Sequence, residues 1–296
     1  MFKLSRRIRG WVLVLLAACA VFLASANLQV GEARPLLAIA PPLRTAKTFA
    51  VLGASTVTNT GDTILNGDLG VSPGTSITGF PPGSITGTTH TNDAVAQQAQ
   101  ADTTAAYNAL TSQACDLDLT GQDLGGLALT PRVYCFDTSA QLTGALTLNG
   151  SATDVWVFKI GSTLTTATGA SVILAGGASP CNVFWQIGSS ATLGTTTAFK
   201  GNILALASID LGTGASLSGL ALAQTGAVTL DTNSVDATVC AGVPSVVGLS
   251  KSFSPATITA GGVSTLTITL LLFGGGIGGL ATWLGWQLRK ARSKSK

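Results

Sequence analysis

Between Cys115 and Cys240 short apolar runs alternate with Gly, Asn, Asp and Thr, and the text repeats itself. Thr163-Leu164-Thr165-Thr166 is followed by Thr192-Leu193-Gly194-Thr195, by Asp210-Leu211-Gly212-Thr213 and by Thr229-Leu230-Asp231-Thr232. The last three units are almost evenly spaced, and the longer first interval carries an insertion around Gly176, Gly177, Pro180 and Cys181. A Thr/Asp-Leu-x-Thr unit returning at this period predicts successive coils of a β-solenoid. Strand side chains alternate, so each coil puts its leucine inward and the flanking residues outward. A second register agrees. Val155-Trp156-Val157-Phe158-Lys159-Ile160-Gly161 aligns with Asn182-Val183-Phe184-Trp185-Gln186-Ile187-Gly188. That alignment places Lys159 and Gln186 in one outward column, and Phe158/Trp185 and Ile160/Ile187 in inward ones. The aromatics therefore read as core.

One stretch breaks the habit. Residues 92–110, NDAVAQQAQADTTAAYNAL, contain no Gly or Pro. Val95, Ala99, Ala106 and Leu110 recur at helical spacing, and Asn92 is placed to cap, so one helix of about five turns is expected. Residues 27–48, with Pro35, Pro41 and Pro42, read as a linker.

The two ends differ from the middle. Residues 1–26 have a basic start (Lys3, Arg6, Arg7, Arg9), an apolar stretch and a small-residue site at Ala24-Ser25-Ala26, the pattern of a secretory signal peptide. A lipobox ending at Cys19 and a twin-arginine signal at Arg6-Arg7 are the alternatives. Residues 265–288 carry no charge, and as a helix they reach about 36 Å, enough to cross a hydrocarbon core of about 30 Å. Trp283 and Trp286 near one end, and Arg289, Lys290, Arg292, Lys294 and Lys296 in the tail 289–296, fit a transmembrane helix with its tail in the cytoplasm. A strand pair broken by glycines is the competing reading. Residues 241–264 form a linker. The expected placement is an exported domain anchored in the cell membrane.

Composition and charge narrow the chemistry. Charged residues are 10% of the chain, Gly numbers 36 and Thr 40, which excludes a bundle or coiled coil and favours strands with tight corners. Between Val51 and Cys240 there are twelve Asp, no Glu and three basic residues (Arg132, Lys159, Lys200), a balance of −9. Nucleic-acid binding needs the opposite sign on the folded surface. Cys115, Cys135, Cys181 and Cys240 form an even set that suits an exported, disulfide-bonded domain. Three connectivities are open; Cys115–Cys135 and Cys181–Cys240 are favoured because the members of each pair flank continuous structure. No Cys/His spacing suggests a metal, and calcium at Asp62/Asn66/Asp68 lacks the repeats that calcium-binding rolls need. One histidine, His90, and scattered Asp residues leave little inventory for proton transfer, so a non-enzymatic protein without cofactor is expected.

Residues 50–83 (AVLGASTVTNTGDTILNGDLGVSPGTSITGFPPG), 129–136 (LTPRVYCF), 182–205 (NVFWQIGSSATLGTTTAFKGNILA) and 226–233 (GAVTLDTN) resemble the ice-binding-protein-like family. The resemblance covers roughly 49–240 and departs from the family at Arg132 and Leu220. It implies a mainly β, right-handed, three-faced discontinuous β-solenoid with one helix packed lengthwise and with N-terminal coils set beside C-terminal ones. Residues 249–270 separately resemble the opening strands of a bacterial immunoglobulin-like repeat. The family resemblance also implies ice, or ice-like ordered water, as partner. A flat column of threonines suits that partner, since methyls fit between waters and hydroxyls anchor them without charge. The candidates are Thr163, Thr165, Thr192 and Thr229, with Thr166, Thr195, Thr213 and Thr232 at the following corner. The alternative is a surface adhesin or envelope protein of the same fold.

Overall fold

A computed structural model describes residues 38–240, 248–254 and 265–271. Residues 38–240 form three parallel sheets of nine, seven and eight strands, wound as a discontinuous solenoid. Every pairing in these sheets is parallel, so each strand stacks directly on the equivalent strand of the next coil. The expected registers of the aromatic repeat hold: Phe158 pairs with Trp185, Lys159 with Gln186 and Ile160 with Ile187.

The winding is not sequential. Strand Phe49–Gly53 lies between Asp68–Val71 and Ala221–Ala223, with Val51 opposite both Leu69 and Ala221. Thr56–Thr60 likewise joins Val228–Asp231, and Ile64–Asn66 joins Ser234–Asp236. The chain thus begins in mid-stack, winds to one end at Thr89–Thr91, and restarts at the other end with Leu117–Asp118. Helix α1, Ala94–Thr111, makes the return journey. Its 18 residues span about 27 Å. Eight strand spacings in the nine-stranded sheet come to about 38 Å, and the flanking segments supply the rest.

Helix α1 lies on the nine-stranded sheet, which explains why central strands such as Phe49–Gly53 and Val183–Ile187 are buried on both faces. Ala96, Ala99, Thr103, Ala106, Tyr107 and Leu110 form the docking face, while Val95 is exposed, contrary to expectation. The alanines allow close approach, and the face is rotated by one residue from the sequence reading at its first turn. Asp93 rather than Asn92 is the N-cap, its Oδ1 accepting from the Ala96 amide at 2.8 Å. The assigned linker is partly structured too. Arg44–Thr48 form a 3₁₀ turn packed on α1, and the buried Asp102 carboxylate accepts from the Thr45 amide at 3.1 Å.

The interior is an aromatic and aliphatic stack. Tyr134, Phe158, Trp185 and Phe199 follow one another with centroid separations of 5.3, 4.0 and 4.8 Å. Each such pair adds about 0.5–1.5 kcal/mol beyond its area burial. Their polar edges are satisfied: Trp185 Nε1 donates to the Lys200 carbonyl at 3.0 Å and Tyr134 Oη to the Thr130 carbonyl at 2.6 Å. At the corner after these strands a Cβ on Gly188 would collide with the carbonyl oxygen of Gly161, so glycine is required there by the coil spacing itself. Disulfides join Cys115 to Cys135 and Cys181 to Cys240.

Thr265–Leu271 are a strand, paired antiparallel with Gly248–Ser254, so the expected transmembrane helix over 265–288 does not begin at Thr265. The same pairing makes part of the expected 241–264 linker a strand. The alternation in TLTITLL is a period-two pattern of β-branched residues, and it prevails over the apolar run. No helix among the described residues is long and apolar enough to cross a membrane. The rest of that span, the basic tail and the signal-peptide assignment lie outside the described residues.

Candidate functional site

The three faces of the solenoid have different chemistry. The nine-stranded sheet is covered by α1. The eight-stranded sheet presents a mixed column, Ala128, Thr147, Ile173, Lys200, Ser218, Asp236 and Asn66 in register order, which varies in size, charge and polarity. The seven-stranded sheet is dominated by threonine. Its central outward column reads Gln141, Thr165, Thr192, Asp210, Thr229, Thr58 and Thr78, each opposite the next. All seven are exposed, and their inward neighbours are buried apolar residues such as Leu142, Leu164, Leu193, Leu211 and Leu230.

The column has six steps and is about 29 Å long. Among the described residues, the hydroxyls of Thr58, Thr78, Thr165, Thr192 and Thr229 make no hydrogen bond to protein, whereas those of Thr163, Thr195, Thr213 and Thr232 are engaged. Five identical side chains, free to bond outward, are held at the strand spacing on a sheet of short parallel strands.

The candidate threonines separate into three groups. Thr165, Thr192 and Thr229 are members of the free column. Thr163 lies in the adjoining column, half-buried, with its Oγ1 donating to Ser139 Oγ at 2.8 Å. Thr195, Thr213 and Thr232 sit at the next corner, where their hydroxyls are engaged: Thr195 with Thr168 at 2.9 Å, Thr213 with Asp231, and Thr232 with Asp231 at 3.0 Å.

Thr166 contradicts its assignment to an exposed corner. It is 3% exposed, and its Oγ1 is shared between Thr197 Oγ1 at 2.8 Å and the Gly194 amide at 2.9 Å. The reason is register. Thr165, not Thr163, pairs with Thr192, so the structural repeat there is two positions shorter than the motif alignment makes it. A slip of two leaves each strand position on its correct side of the sheet but moves the motif one column along the strand.

Thr58 and Thr78, from strands Thr56–Thr60 and Ser76–Thr78, complete the column and were not among the sequence candidates. Their signal was the alternation in TVTNT and SIT, but only the non-sequential winding brings those segments beside Thr229.

A cleft of about 620 Å³ lies beneath the C-terminal end of α1, lined by residues including Lys159, Asp118, Asp137 and Gln186. Its charged groups are largely committed to structure. Lys159 Nζ donates to the Gln113 carbonyl at 2.6 Å, and burial lowers its pKa. Asp118 accepts from the Thr120 hydroxyl and amide, which hold its pKa below the ordinary carboxylate value.

The described residues thus form a helix-braced parallel β-solenoid with one exposed face on which unbonded threonines stand in register. The ice-binding-like family matches residues 51–236, and the chain belongs to that family. An ice-binding protein of Nostoc sp. (strain HG1) is 60% identical over 196 residues, covering 65% of this chain and 72% of that protein. One from Flavobacterium frigoris (strain PS1) is 36% identical over 210 residues, covering 65% and 75% respectively. Among solved structures, an ice-binding protein from an Antarctic biological consortium superposes with a TM-score of 0.66 at 47% identity, over 68% of this chain and 92% of that one. The ice-binding protein of the Antarctic ascomycete Antarctomyces psychrotrophicus superposes with a TM-score of 0.65 at 44% identity, over 67% and 98%.

Proposed function

We propose that this protein binds ice, without catalysis, through the outward face of its seven-stranded sheet. The observation that carries the reading is the registered column of five unbonded threonines, taken with membership of the ice-binding-like family. A hydroxyl that donates within the protein keeps only its acceptor sites for water, whereas these five keep donor and acceptors alike. Their methyl groups, repeated in register, order the adjacent water between them, so the layer carried by the protein can merge with a growing crystal. Ice-affinity partition of the purified full chain tests this. Enrichment in a slowly grown ice hemisphere, with thermal hysteresis in the same preparation, is the expected result; exclusion from ice would leave the adhesive or envelope role.

We infer further that the domain acts outside the cell, tethered near its C-terminus. The signal-like segment 1–26, the two disulfides and the apolar run ending in a basic tail support this. Retention of the full chain in membranes after an alkaline carbonate wash is expected; complete release would remove the tether.

A further inference from the structure

The threonine column has one charged member. Asp210 pairs with Thr192 on one side and Thr229 on the other, is exposed, and its carboxylate makes no hydrogen bond or ion pair among the described residues. It therefore differs from Asp231, one column over, whose carboxylate is held by Thr213 and Thr232. Asp210 is not required by the fold. Its inward neighbours Ile209 and Leu211 carry the packing, and the other strands have Thr or Gln at this position.

We propose that Asp210 is the activity-limiting residue of this face, a charged break that splits the column into Thr165–Thr192 and Thr229–Thr58–Thr78; the proposal rests on the ice-binding reading above. A carboxylate pressed against a solid lattice of water must exchange its own strongly oriented hydration for positions the lattice dictates, and burying a charge without a partner is costly. No basic residue lies beside it in the column to offset that cost, since its neighbours along the stack are threonines. Removing the charge and supplying the missing methyl and hydroxyl joins the two patches into six consecutive threonines. Linked patches that engage one surface together hold it more firmly than either does alone.

The test compares full-length wild type with Asp210→Thr and Asp210→Asn, and with Ile173→Thr on the mixed face, at equal concentration and with folding checked by circular dichroism. Thermal hysteresis is expected to rise by about twofold or more in Asp210→Thr, as follows from relieving an unpaired charge at the contact. Asp210→Asn should fall between it and wild type, and Ile173→Thr should match wild type. Activity in Asp210→Thr with none in wild type would also support the proposal. Hysteresis in Asp210→Thr equal to or below that of an active wild type overturns it while the ice-binding reading stands. If neither protein orders ice, the ice-binding reading fails and the proposal falls with it.

Discussion

Thr165 and Thr166 are neighbours in one strand and serve opposite sides of it. Thr165 is exposed with an unbonded hydroxyl, whereas Thr166 is buried and its hydroxyl links two coils. Strand parity predicts this difference, yet matching Thr-Leu-x-Thr motifs by eye obscures it, because the motif in this coil is displaced by two positions from its partners. Inward and outward sides were therefore legible in the sequence, while the exact column was not. Asp93 shows the reverse case, a cap one residue from its expected place. The Ala96 amide and His90 hold its pKa below the ordinary value of 3.8. A depressed carboxylate pKa contributes stability that is present above 3.8 and is lost as pH falls through the lower folded-state value. Asp93→Ala should therefore lower the melting temperature at neutral pH, and the gap to wild type should narrow in strong acid. A gap independent of pH would assign the effect to something other than the ionised cap.

At the scale of elements, helix α1 and the two disulfides do different work on the same problem, which is that the chain enters and leaves the stack away from its ends. The helix was legible because an alanine- and glutamine-rich stretch without Gly or Pro cannot match the surrounding period. The contribution of Thr58 and Thr78 was not, since no local pattern says which coil will lie beside which. The resemblance of 50–83 to family members implied the discontinuity; the residues alone did not. The Cys181–Cys240 bond ties the point where the chain leaves the solenoid to the 3₁₀ turn Pro180–Asn182. The bonded residues are 59 apart in sequence, against 20 for Cys115–Cys135. In the loop-entropy account these closures contribute about 4 and about 3 kcal/mol respectively. Paired Cys→Ser variants measured by thermal melting should show the larger loss for Cys181/Cys240. The opposite order would mean that the first coil, at the open end near Leu117–Asp118, is the weaker point.

For the whole molecule, the division of labour among three faces is the main result. One face is buried under the helix that returns the chain, one is chemically mixed, and one repeats threonine, broken by Asp210, along about 24 Å. Lys159, although outward by alternation, lies on the covered face with its amine engaged by Gln113, so it is not a neutral comparison site for the threonine column. Ile173 is, being 47% exposed on the mixed face. The most direct measurement is thermal hysteresis of the full chain carrying Thr192→Tyr beside the chain carrying Ile173→Tyr. Both are exposed strand positions, and each change should alter stability by no more than about 0.5 kcal/mol, as at ordinary surface sites. With a ring standing proud of the column, Thr192→Tyr should lose most of the wild-type activity, and Ile173→Tyr should keep it. Full activity in folded Thr192→Tyr, or its loss in Ile173→Tyr alone, would contradict the assignment of ice binding to the threonine face.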